Sequence, residues 1–275
     1  MPPGADDRLI DELGLRRERP FSLYDHPNLI RGASVVVFLT VWEVYGRRVD
    51  PVLFAAPTAI ARAAAELVLS GELLRQTLQS LQSFAAGFLA SLVLGIAFGL
   101  AMGRYRIPEY FFDPHLNALY ATPQVALTPL LIMWFGLGLE IKVVLIFLFA
   151  FFPILINTMS GVKNVSGSMV EIGRAYRASE RQILYKIIIP AALPFIMAGV
   201  RLAVGRAVVG MVVAELFSAI TGLGAMLTLY GNLFETAKMF VPIIVLSLLG
   251  LGFNLAVQAL ERVLAPWKET ERAAA

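Results

Sequence analysis

The sequence predicts an all-α polytopic membrane protein with six transmembrane helices. Of its 275 residues, 58% are apolar and 16% are charged, whereas soluble domains average about 45–50% apolar and 25% charged residues. Apolar runs of roughly 17–25 residues, the length that crosses a bilayer as a helix, recur along the chain. One unusually apolar soluble core could not bury so many of them, so we expect the chain to lie in a membrane.

The first predicted span is the shortest and contains Glu43. Between the first two spans, residues 57–71 have helical spacing of apolar side chains but are too short and too charged to cross. They predict an interfacial helix on the outer surface. The transmembrane domain is placed at 29–265, between an N-terminal tail at 1–28 and a C-terminal tail at 266–275. The six spans are expected near 29–46, 80–103, 116–138, 141–161, 191–220 and 240–263.

The distribution of Lys and Arg predicts that both tails are cytoplasmic. With the N-terminus inside, the inner segments hold fifteen Lys and Arg residues and the outer segments hold six. This asymmetry follows the positive-inside rule for multi-pass proteins. The topology also explains the net charge of +3, and no basic patch with interleaved aromatic residues indicates nucleic-acid binding. The loop at 162–190 then faces the cytosol.

Several kinds of chemistry lack the residues that they would need. The sequence has no Cys and two distant His residues, His26 and His115, so we expect neither a disulfide nor a metal site. It has no GxxxxGK[S/T] run, so ATP would have to be bound by another polypeptide. The main alternative is a self-sufficient secondary transporter or channel, which would predict inverted repeats with paired broken helices; the sequence gives no convincing pattern of that kind. A membrane-embedded enzyme would need clustered His, Asp or Glu residues within the spans, and these are too few.

Small residues recur at every fourth position of the second span. The series is Gly87, Ser91, Gly95, Gly99 and Gly103. This spacing places them on one face of the helix, where a second backbone can approach closely. We therefore predict a helix-packing face, which concerns assembly and not chemistry.

A charged stretch at 171–194, EIGRAYRASERQILYKIIIPAALP, interrupts the apolar pattern. Ser179, followed three residues later by a Gln, predicts a capped helix start. Residues 169–178 predict a preceding short helix, in which Glu171 and Arg174 are spaced for an ion pair. An amphipathic loop of this kind can be a solvated connector, a helix on the lipid surface or a docking element, and the pattern alone does not choose among them.

The stretch resembles the EAA loop of permease subunits of ABC importers, whose pattern is Glu-Ala-Ala, a Gly six residues after the Glu, then Ile-x-Leu-Pro. Glu171 begins the pattern, Ile187 and Ile189 hold its aliphatic positions, and Pro190 closes it where the chain is expected to turn into span five. The resemblance covers most of residues 80–265 and implies the type I ABC importer permease fold. The segments similar to the sulfonate, taurine and nitrate branch are LTPLLIMWFGLG (127–138), FFPILINTMSGV (151–162), PAALPFIMAGVRLAVGRA (190–207) and VVAELF (212–217).

In that family the loop places a short helix in a cleft of the ATP-binding subunit. This sequence departs from the pattern in two places: Ile172-Gly173 replaces Ala-Ala, and Arg177 occupies the Gly position. A non-Gly residue with positive φ costs about 1–2 kcal/mol, so either the first helix continues to Ser179 or Arg177 makes its own contact with the partner. The residues expected to couple to the ATPase are Glu171, Gly173, Arg174, Ala175, Arg177, Ala178, Ser179 and Pro190.

The resemblance also implies the protein's surroundings. It predicts a subunit of the bacterial inner membrane that carries no cofactor itself. The expected partners are a second permease copy, two ABC ATPases that bind ATP and Mg, an extracytoplasmic solute-binding protein and membrane lipid. The expected cargo is a small anionic solute such as a sulfonate, taurine or nitrate, although some members of this branch carry uncharged or cationic heterocycles.

Polar residues inside spans are costly and therefore mark a possible translocation path. Arg206 is the candidate to meet an anion, while Glu215 either joins the path or braces the GLG segment at 222–224. Helical rotation of 100° per residue places these two on opposite faces. Arg201 is expected to snorkel or to contact a loop, and interhelical hydrogen bonding is the alternative role for Asn157. The full set of path candidates is Thr122, Gln124, Thr128, Asn157, Arg206 and Glu215; Pro123 and Pro129 free carbonyls that the first three can satisfy.

Overall fold

A computed structural model describes residues 27–218 and 220–264 of the chain. The predicted tails at 1–28 and 266–275 lie outside this part, apart from residues 27 and 28. The described elements are α1 (Pro27–Gly46), α2 (Pro57–Leu69), α3 (Glu72–Arg104), α4 (Arg106–Ala121), a 3-10 turn (Gln124–Leu127), α5 (Thr128–Phe135), α6 (Leu139–Lys163), α7 (Gly167–Ala175), α8 (Glu180–Ile183), a π-helical segment (Leu184–Ile188), α9 (Ile189–Ser218), α10 (Leu223–Asn232) and α11 (Thr236–Leu264).

The all-α polytopic class is confirmed. Within the described residues, five helical segments are long and apolar enough to cross a bilayer: α1, α3, α6, α11 and the continuous run from α8 through α9. A sixth span is present if α4 and the 124–135 segment, which meet at an angle of 89°, are counted together. The predicted third span at 116–138 is therefore not one straight helix: it is divided at residues 122–123, and its first part begins at Arg106. Thr122 is extended (φ −74°, ψ 130°) because the following Pro123 disfavours the helical conformation in the residue before it.

The small-residue face of α3 packs against α6, as the spacing predicts. A Cβ atom added to Gly87, Gly95 or Gly99 would lie 2.7 Å from Ile146 Cβ, 2.9 Å from Ile154 Cγ2 or 2.5 Å from Thr158 Cβ, respectively. These distances are shorter than side chains tolerate, so only Gly permits this approach. Ser91, in the same series, is fully buried, and a Cβ on Gly103 would meet Val162 in the same way.

Helix α9 packs on the other side of α6, and glycines again permit the close approach. A Cβ on Gly199 would lie 2.7 Å from Asn157 Cβ, and one on Gly161 would lie 2.6 Å from Phe195 Cβ. The centre of α6 is accordingly enclosed, with Leu145, Ile146, Ala150 and Ile154 fully buried. α3, α6 and α9 thus form a three-helix core, with α10 and α11 packed beside α9.

Helix α1 is attached at its C-terminal end. Trp42 Nε1 donates to the carbonyl oxygen of Ala55 at 3.0 Å. Glu43 accepts from the backbone N–H of Thr58 at 3.0 Å and from its hydroxyl at 2.7 Å. The carboxylate inside the first predicted span therefore caps the start of α2, because the first backbone N–H groups of a helix lack partners within it. The helix expected at 57–71 is confirmed as α2.

Candidate functional site

The polar loop at 162–190 is a compact hairpin of two short helices, α7 and α8. α7 ends at Ala175, and Arg177 has φ 57°. The N–H of Ala178 donates to the carbonyl of Gly173 at 3.0 Å, and that of Arg177 donates to Arg174 at 2.9 Å. This is the bonding of a Schellman turn, which requires one residue in the left-handed conformation. Continuation of the first helix to Ser179 is thus wrong, and Arg177 adopts the conformation for which the resembled family uses Gly.

The second helix begins as predicted, with a capping box. The Ser179 hydroxyl accepts from the N–H of Gln182 at 3.3 Å, while the Gln182 side chain accepts from the N–H of Ser179 at 2.8 Å. The chain does not turn at Pro190: helical structure continues from Glu180 through α9. The π-helical residues 184–188 directly precede Pro190. Their altered hydrogen-bond pattern accommodates the missing N–H of the proline inside the continuous helix.

The two helices of the hairpin are held together by close apolar packing. Gly173 is buried, and a Cβ there would lie 2.7 Å from Ile187 Cδ1 and 3.4 Å from Ile183 Cγ1. Ile183 and Ile188 are 0% and 2% exposed. Gly at 173 therefore lets α7 lie directly on the following helix, which makes the hairpin one packed unit.

The outward side of the hairpin presents apolar side chains. Met169 and Ile172 of α7 are 52% and 58% exposed, Tyr176 just after it is 85% exposed, and Tyr185 is 67% exposed. Met169, Ile172, Lys186, Ile187, Pro190 and Ala191 line a groove of about 460 Å³. Exposed apolar groups that are held rigidly and bordered by charges are typical of an interaction surface.

An ion-pair cluster joins the hairpin to the end of α3. Glu180, at the start of α8, accepts from the guanidinium of Arg104 and, at 3.3 Å, from that of Arg174. The expected pairing of Arg174 with Glu171 is wrong, because the Schellman turn brings the start of α8 within reach of Arg174. Lys163 at the end of α6 pairs with Glu109 of α4 at 2.7 Å.

Four of the path candidates lie at the break of the third span or on α6. The Thr122 hydroxyl donates to the Ala118 carbonyl at 2.9 Å, Gln124 Nε2 to the Leu148 carbonyl at 3.2 Å, and Asn157 Nδ2 to the Pro153 carbonyl at 2.8 Å. Thr128 is fully buried, and its Oγ1 has no hydrogen-bond partner among the described residues. Three of these side chains thus donate to backbone carbonyls, although not to those that Pro123 and Pro129 free at residues 119 and 125. The part of all four in a path stays a prediction.

Glu215 is enclosed by protein at the end of the bundle remote from the hairpin, hereafter the far end. Its side chain is 0% exposed. The carboxylate accepts from Ser80 Oγ at 2.8 and 2.9 Å and from the N–H of Gly224 at 2.9 Å. Lys142 Nζ lies 3.9 Å from it. These contacts support the bracing role of Glu215 rather than a place on a wet path.

The same cluster binds the turn before α10 through its backbone. The N–H of Gly222 donates to Gln76 Oε1 at 2.7 Å, and that of Leu223 donates to Ser80 Oγ at 2.8 Å. Lys142 Nζ donates to the carbonyl and the hydroxyl of Thr221 at 2.6 and 2.7 Å. We call Gln76, Ser80, Lys142 and Glu215 the far-end cluster. Sequence reasoning missed Lys142, which it counted as an outer loop charge, although its position inside predicted span four was a signal.

Helix α10 has a further polar anchor at its other end. The Tyr230 hydroxyl donates to Glu72 Oε2 at 3.0 Å. Burial, together with this hydrogen bond, raises the pKa of Tyr230 to about 12. Tyr230 therefore keeps its proton at neutral pH and remains a donor to α3.

The two arginines of α9 have different surroundings. Arg201 pairs with Glu261 of α11, a contact between helices and not the loop contact or snorkelling that was expected. Arg206 is exposed on the face of α9 opposite Glu215, as the helical rotation predicts, and has no hydrogen-bond or ion-pair partner within the described residues. In the described part of the chain, no group of three His, Asp or Glu residues could hold a metal ion.

A bundle of five or six membrane helices with a rigid polar hairpin between two of them has the form of a transporter permease subunit. Residues 91–269 match the model of the family described as binding-protein-dependent transport system inner membrane components. The match covers more than half of the chain, which therefore belongs to this family of ABC transporter permeases.

Named relatives support the same assignment. A permease of Bacillus subtilis named for aliphatic sulfonate transport is 37% identical over 236 residues, covering 85% of this chain and 86% of the relative. A formylaminopyrimidine transport permease of Halalkalibacterium halodurans is 34% identical, covering 86% and 94%. The taurine transport system permease of Escherichia coli is 30% identical, covering 85% and 88%.

Proposed function

We propose that this chain forms the translocation path of an importer for a small anionic solute, such as a sulfonate, taurine or nitrate, and is driven by a separate ATPase. The observation that carries the proposal is the 162–190 hairpin. Its two helices pack closely at Gly173, and it exposes Met169, Ile172 and Tyr176. The hairpin can transmit a movement of the ATPase to the membrane helices only if it moves as one unit and if a partner covers its apolar side.

The hairpin is proposed as the docking site of the ATPase, which binds ATP and Mg. Glu171 and Ala175 are exposed on α7 beside the apolar side chains, so the partner's cleft would have to accommodate both kinds of group. The Arg177 turn presents a guanidinium where the resembled family has Gly. This extra positive charge favours a dedicated ATPase with matching acidic groups.

Docking is tested by charge reversal at two exposed glutamates. Glu171→Lys should lower both co-purification of the ATPase and solute-stimulated ATP hydrolysis, with expression unchanged. The matched control is Glu66→Lys, also at an exposed Glu but on α2, which should leave ATPase co-purification intact. Equal co-purification of both variants with the ATPase would reject docking at the hairpin.

The proposed path lies between two copies of the chain, most simply a homodimer. Phe195, Leu202, Val209 and Leu216 recur at every seventh residue of α9 and are 41%, 59%, 52% and 39% exposed. Gly205, between them, has open space around it. Seven-residue apolar spacing with a small residue is typical of a helix face that meets another helix.

The absence of native Cys makes this dimer directly testable. A single cysteine at Gly205 can form a disulfide only with a second chain, so Gly205→Cys should give a covalent dimer in membranes on mild oxidation. The control is Leu255→Cys, at a 54% exposed position of α11, which should stay monomeric. Cross-linking of the control alone would place the second copy elsewhere.

The proposed orientation puts both termini and the hairpin in the cytoplasm of a bacterial cell, with an extracytoplasmic solute-binding protein at the far end and lipid around the bundle. Ser179→Cys should then react with an impermeant maleimide only from the cytoplasmic side. Glu66→Cys should react only from the other side. The reverse pattern would overturn the topology.

An anionic solute is proposed from the names of the sulfonate and taurine relatives and from Arg206, which is unpaired within the described residues and borders the exposed face of α9. Arg206→Ala should reduce uptake of a sulfonate at least tenfold, and Arg206→Lys, which keeps the charge, should retain part of it. An equal loss of dimer and uptake would assign Arg206 to assembly. The formylaminopyrimidine relative makes an uncharged heterocycle the comparison solute.

The competing proposal is a self-sufficient secondary transporter or channel. Reconstituted protein without any ATPase decides between the two. Solute movement in such vesicles would favour the carrier, whereas movement only when the ATPase and ATP are added would favour the importer.

A further inference from the structure

Glu180 lies at a junction of three helices. It is the first residue of α8, and its two carboxylate oxygens are bound by different arginines: Oε2 by Arg104, at the end of α3, and Oε1 by Arg174, in the last turn of α7. One carboxylate therefore ties both helices of the hairpin to the end of a core helix. Arg104 lies 76 residues earlier in the chain than its partner.

The connection to α3 differs from those to α6 and α9. α6 leads into the hairpin through residues 164–166, and α8 continues into α9 through the π-helical segment, so movement of the hairpin passes to both along the backbone. α3 has no such covalent connection. A cavity of about 380 Å³, lined by Gly103, Arg104, Val162, Glu171, Arg174 and Ile188 among others, separates the hairpin from the end of α3. The cavity interrupts the apolar packing between the hairpin and the end of α3, and the Arg104–Glu180 ion pair connects them across it.

The pair is asymmetric in its surroundings. The Arg104 side chain is 19% exposed and that of Glu180 is 55% exposed, so the arginine is embedded at the end of the core while the glutamate belongs to the surface of the hairpin. Arg174 adds a second guanidinium that fixes the carboxylate from the side of α7. A displacement of α7 thus moves the Glu180 carboxylate, and the Arg104 guanidinium that is paired with it experiences a changed electrostatic force.

We infer that Glu180 is a positioning residue that transmits movement of the 162–190 hairpin to α3 through Arg104. The inference rests on the proposed docking of an ATPase at this hairpin. It adds α3 to the helices that respond to the ATPase, and it assigns that response to an ion pair rather than to the backbone. Neither member of the pair lines the apolar groove beside Met169 and Ile172, so we expect ATPase binding to survive loss of the pair.

Charge reversal and its rescue test the inference. Arg104→Glu and Glu180→Arg, made singly in the assembled transporter, should each lower the ratio of solute-stimulated to basal ATP hydrolysis roughly three- to tenfold. The double variant restores an Arg–Glu pair with reversed polarity and should regain part of the ratio, because the new arginine then also faces Arg174. Co-purification of the ATPase should stay at the wild-type level in all three. The matched control is Arg106→Glu, an exposed residue two positions from Arg104, which should leave the ratio unchanged.

The outcomes separate this inference from the proposed function. If the wild-type hairpin does not retain the ATPase at all, the docking proposal fails. If the ATPase is retained and the single reversals leave the stimulation ratio unchanged, transmission through Glu180 is refuted. Loss in both single variants without recovery in the double variant also refutes it, because the pair would then not be the route. Glu180→Gln, which keeps the side-chain shape and removes the charge, gives the same decision if a reversal prevents folding.

Discussion

Replacement of Lys142 by Met should strongly destabilise the protein, because it leaves the buried Glu215 carboxylate without the positive charge beside it. Lys142 is 3% exposed, and its Nζ lies between the oxygens of Thr221, at 2.6 and 2.7 Å, and Glu215 Oε1, at 3.9 Å. Met fills nearly the same space without a charge. Glu215, which is fully enclosed, would keep its hydrogen bonds to Ser80 and Gly224 but lose the ammonium group beside it.

The expected loss follows from the cost of an uncompensated buried charge. Removing one partner of a buried ion pair costs about 3–5 kcal/mol. The loss of the two hydrogen bonds to Thr221 moves the expected destabilisation toward the upper end of this range. Glu215→Gln removes the opposite charge and retains a carbonyl oxygen that can accept from the N–H of Gly224. The double variant, neutral at both positions, should therefore be more stable than Lys142→Met alone. We expect a coupling energy of about 2 kcal/mol between the two sites.

The assay is reversible unfolding in mixed micelles with increasing SDS, followed by the fluorescence of the three Trp residues. The comparison variant is Lys238→Met, which breaks a partly exposed pair with Glu235 and should cost less than about 1 kcal/mol. If Lys142→Met is no more destabilising than Lys238→Met, or if the effects of Lys142→Met and Glu215→Gln simply add, the reasoning about the far-end cluster is wrong.

Three further substitutions test local features by direct measurement. Gly99→Ala should lower the free energy of unfolding by about 1–3 kcal/mol in the same assay, because its Cβ would lie 2.5 Å from Thr158 Cβ. The control Gly252→Ala, with open space around it, should not change the stability. Equal losses in the two variants would contradict the packing of α3 on α6. Arg177→Gly should stabilise the Schellman turn by about 1 kcal/mol, and slower hydrogen exchange at the N–H of Ala178 would register it. Ser179→Ala should weaken the start of α8 by about 1 kcal/mol, seen as faster exchange at Gln182; unchanged exchange would count against the capping box.

Features that depend on neighbours in sequence could be predicted well. The four-residue spacing of Gly87, Gly95 and Gly99 defines a helix face by itself, and the structure packs that face on α6. The capping box at Ser179 likewise needs only two residues three positions apart. In both cases the local pattern contains the whole physical cause.

Features that depend on distant residues could not be predicted. The partners of Glu215 come from three different segments, at positions 80, 142 and 224, and nothing in a single sequence indicates which helices meet there. The left-handed conformation of Arg177 was missed for a different reason. Its intrinsic cost argues against it, but the hydrogen bonds from Arg177 and Ala178 back to α7, together with the packing of Gly173, stabilise the turn against that cost.

The two ends of the bundle should respond differently to the same kind of substitution. At the far end, Lys142 and Glu215 are enclosed and tie α3, α6 and α9 together, so their loss should lower stability by about 3–5 kcal/mol. At the hairpin end, Arg104 and Glu180 are partly exposed, and such pairs contribute about 0–1 kcal/mol. A force applied at the hairpin would therefore move the nearby ends of the core helices, while the enclosed far-end cluster holds those helices together at their other ends. Variants at Glu180 should then change coupling without changing stability, whereas variants at Lys142 should change stability first; a common loss of both at each end would mean that the bundle moves as one undivided body.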